Sequence, residues 1–171
     1  MIREYAPIAL IPAAWAMVFA TMIYPGISNY WIQHMHFFML IFLAGFTALS
    51  WKEMESDPVL DIWRKVIGAG VIFTGLGTLS FTSSSYSQIL GFSSLAYWFL
   101  APGIALYFSS KHMNQYSGLY EKLVGESFVG FTLFILGLYS EVLSLQILGI
   151  AGIAVAQTWS ILIASKLDED N

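Results

Sequence analysis

The chain has 171 residues, of which 57% are hydrophobic and 11% charged, with a formal net charge of −4 and a mean hydropathy of +0.69. Soluble domains carry about 25% charged residues, and so small a globule has too little interior to bury this much apolar surface, so lipid is the expected solvent. The acidic balance and the lack of a basic cluster argue against a nucleic-acid partner, and the lack of cysteine removes disulfides, Fe–S clusters and thiol catalysis.

A membrane-crossing helix needs about 20 predominantly apolar residues, and six segments meet that need. The first, about Tyr5–Tyr24, is too long for the apolar core of a signal peptide and is followed by no convincing cleavage site, so it is expected to be retained. Pro25-Gly26 breaks the chain after it. The second segment is about Asn29–Trp51, and the charged stretch Lys52 to Asp61, which holds Pro58, reads as a loop. The third, about Arg64–Phe81, ends at the polar turn Thr82–Ser87. The fourth, about Gln88–Tyr107, leads into the polar run Ser109–Gly118. The fifth, about Glu121–Tyr139, is joined to the sixth, about Val142–Leu167, by a tight turn at Ser140-Glu141. The expected fold class is an all-α integral membrane protein with one six-helix domain over residues 1–171, built as three hairpins at about 5–51, 64–107 and 121–167.

Basic residues set the orientation, because Lys and Arg collect on the cytoplasmic side. Arg3, Lys52, Arg64, Lys65, Lys111, Lys122 and Lys166 all fall on one side of a six-span arrangement, and the other three connections hold none. Both termini are therefore expected in the cytoplasm, with the protein in the cell membrane. Tyr24, Tyr30, Trp31, Tyr86 and Tyr139 mark the outer boundary, and Tyr5, Trp51, Trp63, Tyr116 and Tyr120 the inner one, as interfacial anchors.

The second half of the chain repeats itself. At a shift of 58, residues 66–98 match 124–156 at nine of 33 positions, including Val66/Val124, Phe73-Thr74/Phe131-Thr132 and Gln88–Gly91/Gln146–Gly149; apolar composition alone gives about three. Both copies start inside, cross and return, so they are parallel. A further step of 58 from Phe73 reaches Trp15, although the first hairpin shows little other identity. Parallel repeats about an axis along the membrane normal occur in transporters. Trp15, Phe73 and Phe131 at matching depth make either a hydrophobic constriction on that axis, which gates by dewetting, or the filling of a core.

Polar residues within the spans are few. No Asp, Glu, Lys or Arg falls at mid-span, which argues against a proton pump, a voltage sensor or a cation-coupled carrier. Thr74, Thr132 and Gln157 are candidate lining residues for a small polar solute, against the ordinary role of such groups in bonding their own helix or a neighbour. Gln88, Gln146, His34, His36 and Glu126 are vestibule candidates. His34 and His36 are two positions apart, about 200° around a helix, so they face different ways and do not share a metal; no metal site and no cofactor is expected. Small residues four apart (Ala9/Ala13, Ala16/Ala20, Ala44/Ala48, Gly70/Thr74, Gly152/Ala156) favour close helix packing, and Pro12 and Pro102 interrupt their helices. No hydrolase, metalloprotease, P-loop or dinucleotide signature is present, so an enzyme is not expected.

The stretch Tyr5-Ala6-Pro7-Ile8-Ala9-Leu10, with Gln88-Ile89-Leu90-Gly91 at the start of the fourth helix, resembles the acetate uptake transporter family (succinate–acetate permease, YaaH-like). That family opens on Asn-Pro-Ala-Pro-Leu-Gly-Leu; here only the Ala-Pro pair and the last Leu fit, and the Asn-Pro pair is absent. The resemblance implies three hairpins around a pore, with Trp15, Phe73 and Phe131 in the constriction role. The expected function is a channel or transporter for a small neutral or weak-acid solute of monocarboxylate type. Its partners would be the bilayer, the solute and further copies of itself. The rival reading is an accessory subunit of a larger respiratory or transport complex. An intramembrane enzyme ranks third.

Overall fold

The computed structural model describes the backbone of residues 2–24, 26–82, 85–113 and 116–169, and the side chains of 11–24, 26–82, 85–113 and 116–164. Among them the chain forms six α-helices: α1 (Ile2–Ile23), α2 (Asn29–Ser50), α3 (Pro58–Ser80), α4 (Ser87–Ser110), α5 (Ser117–Tyr139) and α6 (Leu143–Glu169). A 3-10 turn, Glu53–Glu55, precedes α3. Described residues form no strand. Four of the helices (α2, α4, α5 and α6 over Leu143–Ala164) are long and apolar enough to cross a membrane, and α1 contributes a shorter apolar stretch, Ile11–Ile23.

The helix start that departs furthest from the sequence expectation is that of α3; α5 also begins early, at Ser117 within the polar run Ser109–Gly118, and α1 at Ile2, ahead of Tyr5. The segment expected to be a loop up to Asp61 already belongs to α3, which begins six residues before Arg64. Asp57 is the reason: its Oδ1 accepts hydrogen bonds from the Val59 and Leu60 amides, both at 2.8 Å, and Pro58 occupies the first helical position, where its missing N–H costs nothing. Charge content hid a helix start whose capping signal was legible.

Residue contacts divide the chain into two compact units, Met1–Ile23 with Pro102–Asn171, and Tyr24–Ala101. Their boundary falls inside α4 at Pro102, which cannot donate to the Trp98 carbonyl one turn back.

In the first unit α5 and α6 form a close antiparallel hairpin, and α1 packs on α6. Glycine makes the α5–α6 approach possible. A Cβ built on Gly149 would lie 2.5 Å from the Gly130 carbonyl oxygen and 2.6 Å from the Phe134 nitrogen, and one on Gly130 would lie 2.7 Å from the Gly149 oxygen. The two backbones touch there. Helix pairing in lipid depends on such contact, because tails as apolar as leucine give helices little hydrophobic reason to associate. The turn into α6 is a full Schellman motif: the Val142 amide donates to Gly137 O at 3.0 Å and the Glu141 amide to Leu138 O at 3.4 Å. Glu141 takes the left-handed conformation (φ 58°) in which glycine is usual.

In the second unit α2 packs on α3, while α3 and the first half of α4 meet through side chains. Trp98 lies over Gly70, where a Cβ would come within 2.6 Å of the indole. Tyr97 stacks on Phe73 with ring centroids 4.2 Å apart and planes 8° from parallel, and its hydroxyl donates to Val66 O at 2.5 Å. Every residue of α2 except Ser50 is exposed or half-buried.

Candidate functional site: an uncharged polar seam

Among the described residues the buried polar ones are Ser50, Thr74, Ser94, Ser109, Ser110, Ser127, Gln157 and Ser160, and none of these is charged. Five of them belong to the first unit, where Trp15 (5% exposed) and Tyr120 (1% exposed) join them. Helix α1 carries Trp15 to the middle of its length and α6 carries Gln157 to the middle of its own. The Trp15 Nε1–H donates to Gln157 Oε1 at 3.0 Å, linking residues 142 positions apart. One turn further along α6, Ser160 donates to Gln157 O at 2.8 Å, and its own carbonyl accepts from the Tyr120 hydroxyl at 3.1 Å. On α5, Ser127 donates back to Leu123 O at 2.9 Å; its Cβ lies 3.2 Å from where a side chain on Gly103 of α4 would begin.

These hydroxyls are satisfied mainly by their own helices, the usual solution in an apolar surrounding. Ser109 is the exception: its Oγ is fully buried and has no hydrogen-bond partner. Leaving a buried hydroxyl unpaired costs about 1–3 kcal/mol, and Ser109 carries that cost in the first unit. The seam offers hydroxyl and amide groups without fixed charge. It can hydrogen-bond a neutral molecule, and it gives no compensation to an ion stripped of water.

The structure brings two of the residues singled out in the sequence, Trp15 and Gln157, into direct contact. The other candidates have surroundings of their own. Thr74 is buried and accepts from the Trp98 indole N–H at 3.0 Å, whereas its repeat partner Thr132 is exposed and donates to Phe128 O at 2.9 Å. Phe73 is half-buried in the stack with Tyr97 in the second unit, and Phe131 is half-buried on α5 in the first. Gln146 reaches back to donate to Gly137 O at 3.0 Å, while Gln88 is exposed. Glu126 is half-buried beside Gly152, 3.9 Å from its Cβ position. His34 is exposed, stacks on Tyr30 and pairs its Nδ1 with Tyr30 O at 2.7 Å. His36 turns the other way, half-buried against Phe81, with Nδ1 3.0 Å from Ile32 O. A carbonyl only accepts, so each Nδ1 carries the proton.

Sequence reading gave no site role to Ser109, Ser127, Ser160 or Tyr120. Tyr120 was expected at the membrane surface as an anchor, yet it is among the most buried side chains. Serines spaced along otherwise apolar helices were the available signal, but only α4, α5 and α6 folded together show that they share an interior. No family model, curated protein or solved structure matches the chain, so the site rests on its own chemistry.

Proposed function

We propose that the chain is an integral protein of the cell membrane, crossing it six times with both termini in the cytoplasm, and that it passes a small neutral or weak-acid solute of monocarboxylate type. The observation that carries this reading is the buried, charge-free seam of Trp15, Ser109, Tyr120, Ser127, Gln157 and Ser160. A monocarboxylic acid suits it in the protonated form, which both donates and accepts hydrogen bonds and brings no charge into the bilayer. Basic residues confined to alternate connections support the orientation. The resemblance to the acetate uptake transporters supports the same class of solute.

Reconstitution tests the reading. Vesicles holding the protein should admit acetic acid, urea or glycerol faster than empty vesicles in stopped-flow swelling, and Phe73→Ala and Phe131→Ala should change that rate. If every solute enters both kinds of vesicle equally fast, transport is the wrong reading. An accessory-subunit role is then favoured by α2, which leaves large side chains such as Trp31, Phe37, Phe38 and Ile41 exposed; co-purification of a larger complex from native membranes in mild detergent would support it.

A further inference from the structure

We propose that the cleft at the C-terminal end of α2 holds the headgroup of a zwitterionic, amine-bearing phospholipid. The inference rests on the membrane reading above and is independent of transport. The cleft has a volume of about 530 Å³ and is lined by Thr47, Ala48, Leu49, Trp51, Lys52 and Glu53. Its walls change character along the helix: Ala48 and Leu49 are apolar, and Lys52 and Glu53, one turn further on, are charged. A lipid has the same gradient from acyl chain through phosphate to amine. Leu49 is 66% exposed and Trp51 41% exposed, so the mouth is open.

Two polar atoms behind this cleft have no partner. Thr47 Oγ1 and Arg64 Nε are both buried and unbonded. They border a second gap, walled by Phe46, Trp51, Met54 and Ile67 and too narrow to admit water. Arg64 is otherwise fully engaged: it pairs with Glu55 at 3.1 Å and Asp61 at 2.5 Å, donates to Trp51 O at 3.2 Å, and stacks over the Trp51 ring at 4.7 Å. That clamp fixes the indole that forms one wall of the open cleft. Thr47 lines both spaces, and a turn about its Cα–Cβ bond is what would bring the buried hydroxyl to an ester or phosphate oxygen in the open cleft.

Charge decides the headgroup. Lys52 is exposed and makes no ion pair among the described residues, which leaves it available for a phosphate oxygen. Over residues 52–65 the basic Lys52, Arg64 and Lys65 are outnumbered by the acidic Glu53, Glu55, Asp57 and Asp61. A net-negative lipid is therefore repelled by the segment, whereas a phosphate with an attached ammonium meets Lys52 at one end and the acidic groups at the other. A carboxylate has about four acceptor positions, so Glu53, which has an interaction elsewhere, can still accept from that ammonium.

Native mass spectrometry of the full chain in detergent, titrated separately with phosphatidylethanolamine, phosphatidylcholine and phosphatidylglycerol, tests this. The first bound phosphatidylethanolamine should appear at the lowest lipid concentration of the three. Lys52→Ala should weaken it about fivefold, the effect expected of one basic residue at a lipid surface. Thr47→Val should weaken it as well. Lys65→Ala, which removes the same charge from the same segment outside the cleft, should leave it unchanged. Equal binding of all three lipids, preference for phosphatidylglycerol, or indifference to Lys52→Ala overturns the proposal. A wild-type chain that conducts solute but shows no headgroup preference counts against this site alone, and failure of the wild-type chain to float with vesicles counts against the membrane reading.

Discussion

The two segments that a 58-residue shift aligns pack their helices in opposite ways. The α5–α6 copy brings backbones together over Gly130 and Gly149, while the α3–α4 copy holds its helices apart with Trp98 and Tyr97. The 58-residue shift puts Gly91 opposite Gly149, Ile72 opposite Gly130 and Trp98 opposite Ala156. Only one of the two glycines at the first of these positions is needed for close approach: a Cβ on Gly91 meets nothing nearer than Ser80 at 3.6 Å, an ordinary contact. An identity kept between repeats is thus no guarantee of a kept role. In lipid, backbone proximity and aromatic bulk are alternative routes to the same dispersion contacts.

The largest test of this contrast exchanges one methyl group at equivalent sites. Gly149→Ala drives a carbon into fixed backbone and should cost about 3 kcal/mol, the upper end for overpacking, whereas Gly91→Ala should be nearly neutral. Unfolding of both variants in mixed micelles with rising dodecyl sulfate would read the difference, and equal losses would break the comparison. Next comes Trp98→Ala, which empties the spacer between α3 and α4 and removes the donor to Thr74. A half-buried tryptophan should cost about 2–3 kcal/mol, below the range for fully buried aromatics. Glu141→Gly should act in the opposite direction. It relieves a left-handed residue that costs roughly 1 kcal/mol in a non-glycine, offset in part by the freer unfolded chain, so a small rise in the midpoint is expected and a fall would contradict the turn geometry.

The smallest effect separates the charged ends of the two copies. The Lys65 ammonium bonded to Asp61, with Arg64 beside it, holds the Asp61 carboxyl below the usual range. A depressed carboxylate contributes stability above its unfolded value and loses it as pH falls through and below about 4. The Glu121 carboxylate holds Lys111 above the usual amine range at 2.9 Å, and that contribution is present below about pH 10 and lost above it. Both pairs are exposed and screened. Amide hydrogen exchange should show the start of α3 loosening in acid and the α4–α5 connection loosening only in strong alkali.

The sequence made some of this legible. Apolar runs and turn chemistry located the six helices formed among the described residues, four of them long and apolar enough to cross a membrane, because apolar stretches and Pro/Gly punctuation are local signals. The start of α3 was missed since charge was weighed above the Asp57-Pro58 cap. Gln157 stood out as an isolated amide and Trp15 through the repeat, but their hydrogen bond spans 142 positions and depends on how α1 packs on α6. Nor do shared letters tell that Thr74 is buried and bonded to the Trp98 indole while Thr132 is exposed and bonds its own helix: that difference follows from which side chain the facing helix presents.

The uncharged seam is the centre of the functional account, and Gln157 is the buried side-chain amide in it. Stopped-flow entry of acetic acid into vesicles at matched protein density should slow sharply for Gln157→Leu relative to wild type, with the thermal unfolding of the variant still cooperative. A Gln157→Leu protein that folds and admits the acid at the wild-type rate would show that the solute does not travel past Trp15 and Gln157.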